Sequence, residues 1–294
     1  MKKILVSGSI ANDFIMNFHD QFGNYILPEK THQLSVNFNI NELHAHAGGA
    51  GANISYNLWL LEQESVLLGA VGKEYVFSGF LSKRADTWYT VVSDSLHTAT
   101  ANIMTDEKNN QITAFYPGAI LESGKQSVAT VEGEFSYAII SPNLPDTMLA
   151  HLKGCAERGI PVFFDPGQPL PAFSKEQLLE ALEAATYLIL NEYEHDLLLK
   201  MTDLAAEDLL SYVDAYVVTL GWDWSRYASK DETFEVPVIP TEGVLDPTGA
   251  GDAFRAGLLH ELHHGRSWKE WMELGSKLAH QCIQMHGTQR HKKK

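Results

Sequence analysis

Short apolar runs that stop at Gly, Pro, Asn or Asp alternate with helical stretches along most of this 294-residue chain, and that alternation constrains the fold most. Runs at residues 3–7, Val66–Val71, Tyr137–Ser141, Val162–Phe164, Tyr187–Leu190 and Tyr216–Leu220 read as strands. Helices are expected at Ala52–Glu62, where Ile54, Leu58 and Leu61 recur at helical spacing. Further helices are expected at Met148–Arg158, 174–185, Glu194–Lys200, Asp252–His264 and Trp268–Met285. Strands and helices in turn mark a mainly parallel sheet covered on both faces, because each parallel crossover lays a helix over the sheet. The expected fold class is therefore α/β, doubly wound. Two excursions break the pattern. Residues 14–46 are aromatic and rich in Asn and His, with weak alternation from Gln33 to Ile40. Residues 97–116 read as a hairpin, Thr98–Met104 and Gln111–Tyr116 around the polar turn Asp106–Asn110. Together they predict a small β-sheet lid over the carboxyl edge of the main sheet, within a single domain spanning residues 1–294.

Charge excludes one class of partner. Twenty-two basic against 37 acidic residues give a formal charge of −15. Such a surface repels phosphate backbones, so no nucleic-acid partner is expected. Cys155 and Cys282 are the only cysteines, which implies no disulfide framework and suits a reducing compartment. No run approaches the ~20 apolar residues that span a bilayer. The apolar run after Lys2-Lys3 is too short for a secretory signal. A soluble, cytoplasmic protein without a membrane partner is expected, with His291–Lys294 as a disordered basic tail.

The chemistry gathers at segment ends. In Asp246-Pro247-Thr248-Gly249-Ala250-Gly251-Asp252, three small residues precede a helix. Their N–H groups can converge on an anion, and the helix terminus adds unpaired donors and positive potential. Phosphoryl transfer to an alcohol needs such donors and a carboxylate to take the hydroxyl proton. A capping Asp after a Gly-rich turn is the plainer alternative. Gly48-Gly49-Ala50-Gly51-Ala52-Asn53 is a second glycine-rich entry to a helix. A dinucleotide fingerprint would need Gly where Ile54 stands, and no Gly-x-x-x-x-Gly-Lys-Ser/Thr segment exists. Asp13 lies just past the first strand, where ligands of open α/β sheets bind; an Asx-turn is the alternative. Asn191-Glu192-Tyr193-Glu194 offers oxygen ligands suited to hydrated Mg²⁺, or simply an acidic helix start. Thr219-Leu220-Gly221 ends another strand. Asp165-Pro166-Gly167-Gln168 faces the same edge, as a site wall or a plain turn. His44-Ala45-His46 lacks an evident third metal ligand, and His263-His264 reads as a solvated helix end.

With these blocks in this order over residues 8 to 257, the chain resembles the ribokinase-like (PfkB-type) kinases. The resemblance implies a doubly wound α/β enzyme with a β-lid that moves the γ-phosphate of ATP to a hydroxymethyl group. It implies Asp252 as base and Gly249, Ala250 and Gly251 as anion hole. Asp13, Gly48, Gly49 and Asn53 would hold substrate hydroxyls. Asn191 and Glu194 would position Mg²⁺ and the phosphates, with Glu194 reaching the metal through water. Thr219 and Gly221 would bind nucleotide. Trp224 departs from the pattern where a second glycine is usual, so an altered adenine-side loop is expected. Some relatives require a monovalent cation, and a lid with apolar faces suits either a capped monomer or a homodimer.

Two stretches resemble the bacterial adenosine or nucleoside kinase branch: Ser9–Lys30, containing Phe18-His19-Asp20-Gln21-Phe22-Gly23-Asn24-Tyr25-Ile26-Leu27-Pro28, and Asn109–Ala119. A nucleobase needs aromatic and apolar walls, which Phe14, Ile15, Phe18, Phe38 and Phe115 can supply unless they form the lid's own small core. The expected reaction is MgATP-dependent phosphorylation of a nucleoside 5′-hydroxyl, adenosine foremost. A ribokinase- or fructokinase-type sugar kinase and a non-catalytic nucleoside or nucleotide sensor stay open as alternatives.

Overall fold

The expected strands pair side by side in a computed structural model of the protein, which describes residues 2–26, 35–76, 85–108, 110–221, 223–241 and 243–292. Strands β1 (Lys3–Ser7), β2 (Ala11–Asn17) and β3 (Glu42–Gly48) lead into helix α1 (Ala50–Leu60). Strands β4 (Ser65–Leu68), β5 (Ala70–Gly72), β6 (Ala85–Asp86), β7 (Val91–Ser93), β8 (Ala99–Thr105) and β9 (Gln111–Tyr116) follow. Next come β10 (Phe135–Ile140), α2 (Pro145–Glu157), β11 (Val162–Phe164), α3 (Lys175–Ala184), β12 (Tyr187–Asn191), α4 (Glu192–Thr202) and α5 (Leu209–Tyr212). The chain continues through β13 (Ala215–Thr219), β14 (Trp224–Ser229), β15 (Thr233–Pro237), α6 (Ala250–His263) and α7 (Trp268–Cys282).

Among the described residues the main sheet has nine strands in the order β15-β14-β13-β12-β11-β10-β1-β4-β6. Every pairing from β13 to β6 is parallel, and β14 and β15 add an antiparallel edge. Side chains alternate faces along a strand, so each run feeds two cores. Leu5, Ala138, Ile140, Phe164, Leu188 and Leu190 face the layer of α2, α3 and α4. Ile4, Val6, Ile139, Phe163 and Ile189 face α1, α6 and α7. Burial on both faces is why these strands read as unbroken apolar runs. Each fully buried Leu, Ile or Phe contributes about 1.5–3 kcal/mol.

Among the described residues the lid forms as a four-stranded sheet ordered β3-β2-β8-β9. β2 runs parallel to β8, from Ala11 opposite Ala99 to Asn17 opposite Thr105. The Asp106 carboxylate joins the two excursions, accepting from the N–H groups of Phe22 at 3.1 Å and of Lys108 and Asn110 at 2.9 Å.

Several expectations need correction. The second lid strand is Glu42–Gly48, not Gln33–Ile40; residues 35–40 form no strand, and 27–34, with Leu27, Pro28 and Lys30, lie outside the described residues. Asn109 lies outside them too. The run Val66–Val71 splits at Gly69, because β4 joins the main sheet while β5 pairs with β7. The β14–β15 hairpin has no counterpart in the expected elements. Its mixed polar pattern belongs to an edge with one solvated face. The supposed tail is anchored at His291, which is 2% exposed. His291 Nε2 lies 2.7 Å from Asn57 Oδ1, and its carbonyl accepts from the Tyr56 hydroxyl at 2.5 Å. Lys293 and Lys294 lie outside the described residues. Among the described residues no helix is long and apolar enough to cross a membrane.

Candidate active site

The glycine-rich segment ends in α6, which begins two residues earlier than its sequence suggests. Gly249 caps it at φ +80°, a left-handed conformation that a Cβ disfavours, so Ala250, Gly251 and Asp252 make the first turn. Asp246 fixes the preceding loop by accepting from Thr248 N–H at 2.9 Å and Gly287 N–H at 3.1 Å. Of the three expected anion-hole amides, that of Ala250 makes a long 3.3 Å bond to the Pro247 carbonyl.

Asn53, one turn into α1 and 4% exposed, donates from Nδ2 to Asp252 Oδ2 at 2.8 Å. The two glycine-rich blocks therefore meet at their polar residues. Burial pushes the Asp252 carboxyl up to about 7, against the Arg255 guanidinium and the Asn53 bond, which favour the anion, and with Asp165 and Asp13, which disfavour it.

Sequence reading missed Arg255 and left Asp165 undecided. Arg255 lies three residues beyond Asp252, the spacing of helix neighbours, and that spacing is the signal that could have found it. Its Nη2 donates to Asp165 Oδ1 at 2.7 Å, and its Nε lies 2.6 Å from Oδ2. Both residues are buried. Burial pushes the Asp165 carboxyl up and Arg255 opposes it; Asp165 in turn holds the guanidinium firmly protonated.

Asp13 sits on β2 with its carboxylate laid on bare backbone at Gly48, where a Cβ would fall 2.2 Å from Oδ2. Burial, then Asp246, pushes Asp13 up to about 6. Asp13 pairs with His46 and Ala101, and Ala101 with Phe115, so all four lie in one row on one face of the lid. Ile15, two residues on, shares that face, and Phe14 takes the other. Phe18 and Phe38 leave the proposed base wall altogether. They pack with Phe22 and Tyr25 at centroid distances of 5.1–5.8 Å as the lid's own core.

Asn191 and Glu194 form a capping box at the start of α4. Asn191 Oδ1 accepts from Glu194 N–H and Glu194 Oε2 from Asn191 N–H, both at 2.8 Å. One Glu194 oxygen is left to other partners, and burial, then Asp165, raises its carboxyl. Among the described residues no three His, Cys, Asp or Glu side chains are grouped to hold a metal ion, the His44-Ala45-His46 pair included. His263 is not simply solvated, since its Nδ1 lies 2.7 Å from the Ser136 hydroxyl.

Thr219 and Gly221 share one cavity of about 170 Å³ with Ala250 and Gly251. Trp224, the departure from pattern, lines it with Val238, Phe254 and Ile283. The departure thus supplies an aromatic wall beside the helix terminus.

The profile of the pfkB family carbohydrate kinases matches residues 1–294. The chain belongs to that family. It is 32% identical over 293 residues to a nucleoside kinase of Methanocaldococcus jannaschii, covering 98% of this chain and 93% of the relative. The crystal structure of a nucleoside kinase from that organism superposes with a TM-score of 0.89 at 31% identity, over 99% of this chain and 94% of the other. The Burkholderia thailandensis nucleoside kinase in complex with inosine superposes with a TM-score of 0.87 at 32% identity, over 98% and 93%. A ribokinase of Lactococcus lactis is 29% identical over 82% of this chain and 81% of its own length. The doubly wound sheet with its small lid is the ribokinase-like fold. This pfkB family member is a kinase with an alcohol acceptor, a nucleoside or a sugar.

Proposed function

We propose that the chain phosphorylates the 5′-hydroxyl of a nucleoside, adenosine foremost, with ATP as donor. The 2.8 Å bond between Asn53 and Asp252 carries this reading. It sets the residues suited to sugar hydroxyls, Asp13, Gly48, Gly49 and Asn53, against the helix terminus suited to phosphate. Asp252 takes the hydroxyl proton as the oxygen attacks the γ-phosphorus and ADP leaves. Amides of the Gly249–Gly251 turn face the charge of the transferring group. Ile15 and Phe115 offer apolar surface to a base on the face shared with Asp13. Thr219, Gly221 and Trp224 line the nucleotide side. The remaining Glu194 oxygen, beside Asn191, suits a hydrated Mg²⁺ held mainly by phosphate and water, which would neutralise phosphate charge. The presence of nucleoside kinases among the relatives supports a nucleoside rather than a sugar as acceptor.

A screen of ADP release over nucleosides and free sugars tests the reading. Nucleosides, adenosine first, are expected to turn over; selective turnover of ribose or fructose would overturn it.

The pH profile follows from Asp252. A base works only when ionised, and this carboxyl sits at about 7. Turnover is expected to fall about tenfold per unit below pH 7 and to level off above it. A flat profile from pH 5.5 to 8 would remove Asp252 from the role.

Trp224→Ala is expected to raise the KM for ATP about three- to tenfold with little change in kcat, as loss of one aromatic contact predicts. Steady-state kinetics with ATP varied checks this, and an unchanged KM would place the adenine elsewhere.

A further inference from the structure

The Asn53 amide has chemically opposite ends, and its setting decides which one Asp252 meets. Its oxygen receives the side-chain NH₂ of Gln289 at 2.9 Å. The Thr288 hydroxyl has one proton and two acceptors in reach, Asn53 Oδ1 at 2.7 Å and the Ala47 carbonyl at 3.0 Å. Gly287 N–H on Asp246 ties this segment to the glycine-rich loop. We infer that Thr288 and Gln289 are positioning residues for phosphoryl transfer, fixing the Asn53 amide so that its NH₂ faces Asp252. The inference rests on Asp252 as the base.

Gln289 Oε1 is buried with no hydrogen-bond partner among the described residues. Turning both amides over would pair that oxygen and leave the Gln289 NH₂ in its buried place. Gln289 would then accept from Asn53, the Thr288 proton would pass to Ala47, and the Asn53 oxygen would face a protonated Asp252. The two protonation states of Asp252 therefore select opposite settings of one amide pair. Arg255 on the same helix, Asp165 after β11, Asp13 on β2 and Cys282 on α7 also act on or are acted on by the Asp252 charge, and substitutions at 288 and 289 leave these groups themselves unaltered.

The test reads the Asp252 carboxyl by infrared difference spectra against Asp252→Asn on ligand-free protein. In Gln289→Glu the new carboxylate only accepts, draws the Asn53 NH₂ to itself and turns its oxygen to Asp252. The titration midpoint is expected to rise by about one unit, as loss of one charge-assisted bond predicts. Gln289→Met, which adds no charge, moves it the same way by less, and Thr288→Ser leaves it unchanged. In Gln289→Glu the kcat at pH 7 should fall while the KM for ATP stays within about twofold. Unmoved titrations in both Gln289 variants would overturn the inference. Gln289 is part-exposed, so its variants are expected to fold. A moved titration without nucleoside turnover would sink the substrate reading alone, and nucleoside turnover with an unmoved titration would sink this one alone.

Discussion

Asp252→Asn is expected to lower kcat roughly a hundred- to ten-thousand-fold, the usual worth of a positioned general base. Nucleoside affinity should stay within a few-fold, since the amide keeps the size of the carboxyl. Wild-type-like turnover in this variant would end the proposed mechanism. The same variant carries a second readout. With its carboxyl raised to about 7, folded protein holds a proton that the unfolded chain, with an Asp near 3.9, has released. Asp252 therefore lowers stability as pH rises from about 4 through 7. Asn has no such proton to lose. The variant should melt higher than wild type at pH 8, with the gap closing toward pH 4. Calorimetry across that range checks it, and a gap that widens on acidification would contradict the buried position of Asp252.

The second large effect concerns the ion pair beneath the site. Arg255→Met leaves Asp165, which is 1% exposed, without its partner. Removing one member of a buried pair costs about 3–5 kcal/mol, because the remaining charge stays desolvated. Urea unfolding should show that loss, and Asp165→Asn added to Arg255→Met should recover much of it. A single-variant loss under about 1 kcal/mol would mean that water reaches Asp165. Losing the guanidinium also removes a group that favours the Asp252 anion. Activity near neutral pH should therefore stay low even where stability returns.

The main sheet was legible because a strand buried on both faces carries few polar residues, and Phe163–Phe164 or Leu188–Leu190 announce themselves. The glycine-rich entry ending in Asp252 was legible because small residues before a helix stand out, but Gly249 as the left-handed cap was not, since the helix was expected only from Asp252. The edge hairpin Trp224–Pro237 was not, since one solvated face dilutes the apolar signal. Strand Glu42–Gly48 hid behind small residues and His, chosen for contact with Asp13 and the 287–289 segment rather than for a core. Arg255 looked like any helix arginine until Asp165 came beside it across 90 positions of chain. Thr288 and Gln289 carry no motif. Their bonds to Asn53 emerge only from geometry, as does the division of the lid aromatics between a core and an open face.

The bonds at the centre of the site join distant residues: Asn53 to Asp252 across 199 positions, and Asn53 to Thr288 across 235. Closing loops of that length costs entropy that only the rest of the native packing offsets. Helices and neighbouring strands can form from local contacts, but this cluster exists only once both halves of the sheet and the segment after α7 are docked. Recovery of phosphotransfer during refolding is thus expected to follow the longest-range contacts of the chain, with partly folded forms rich in secondary structure catalytically silent.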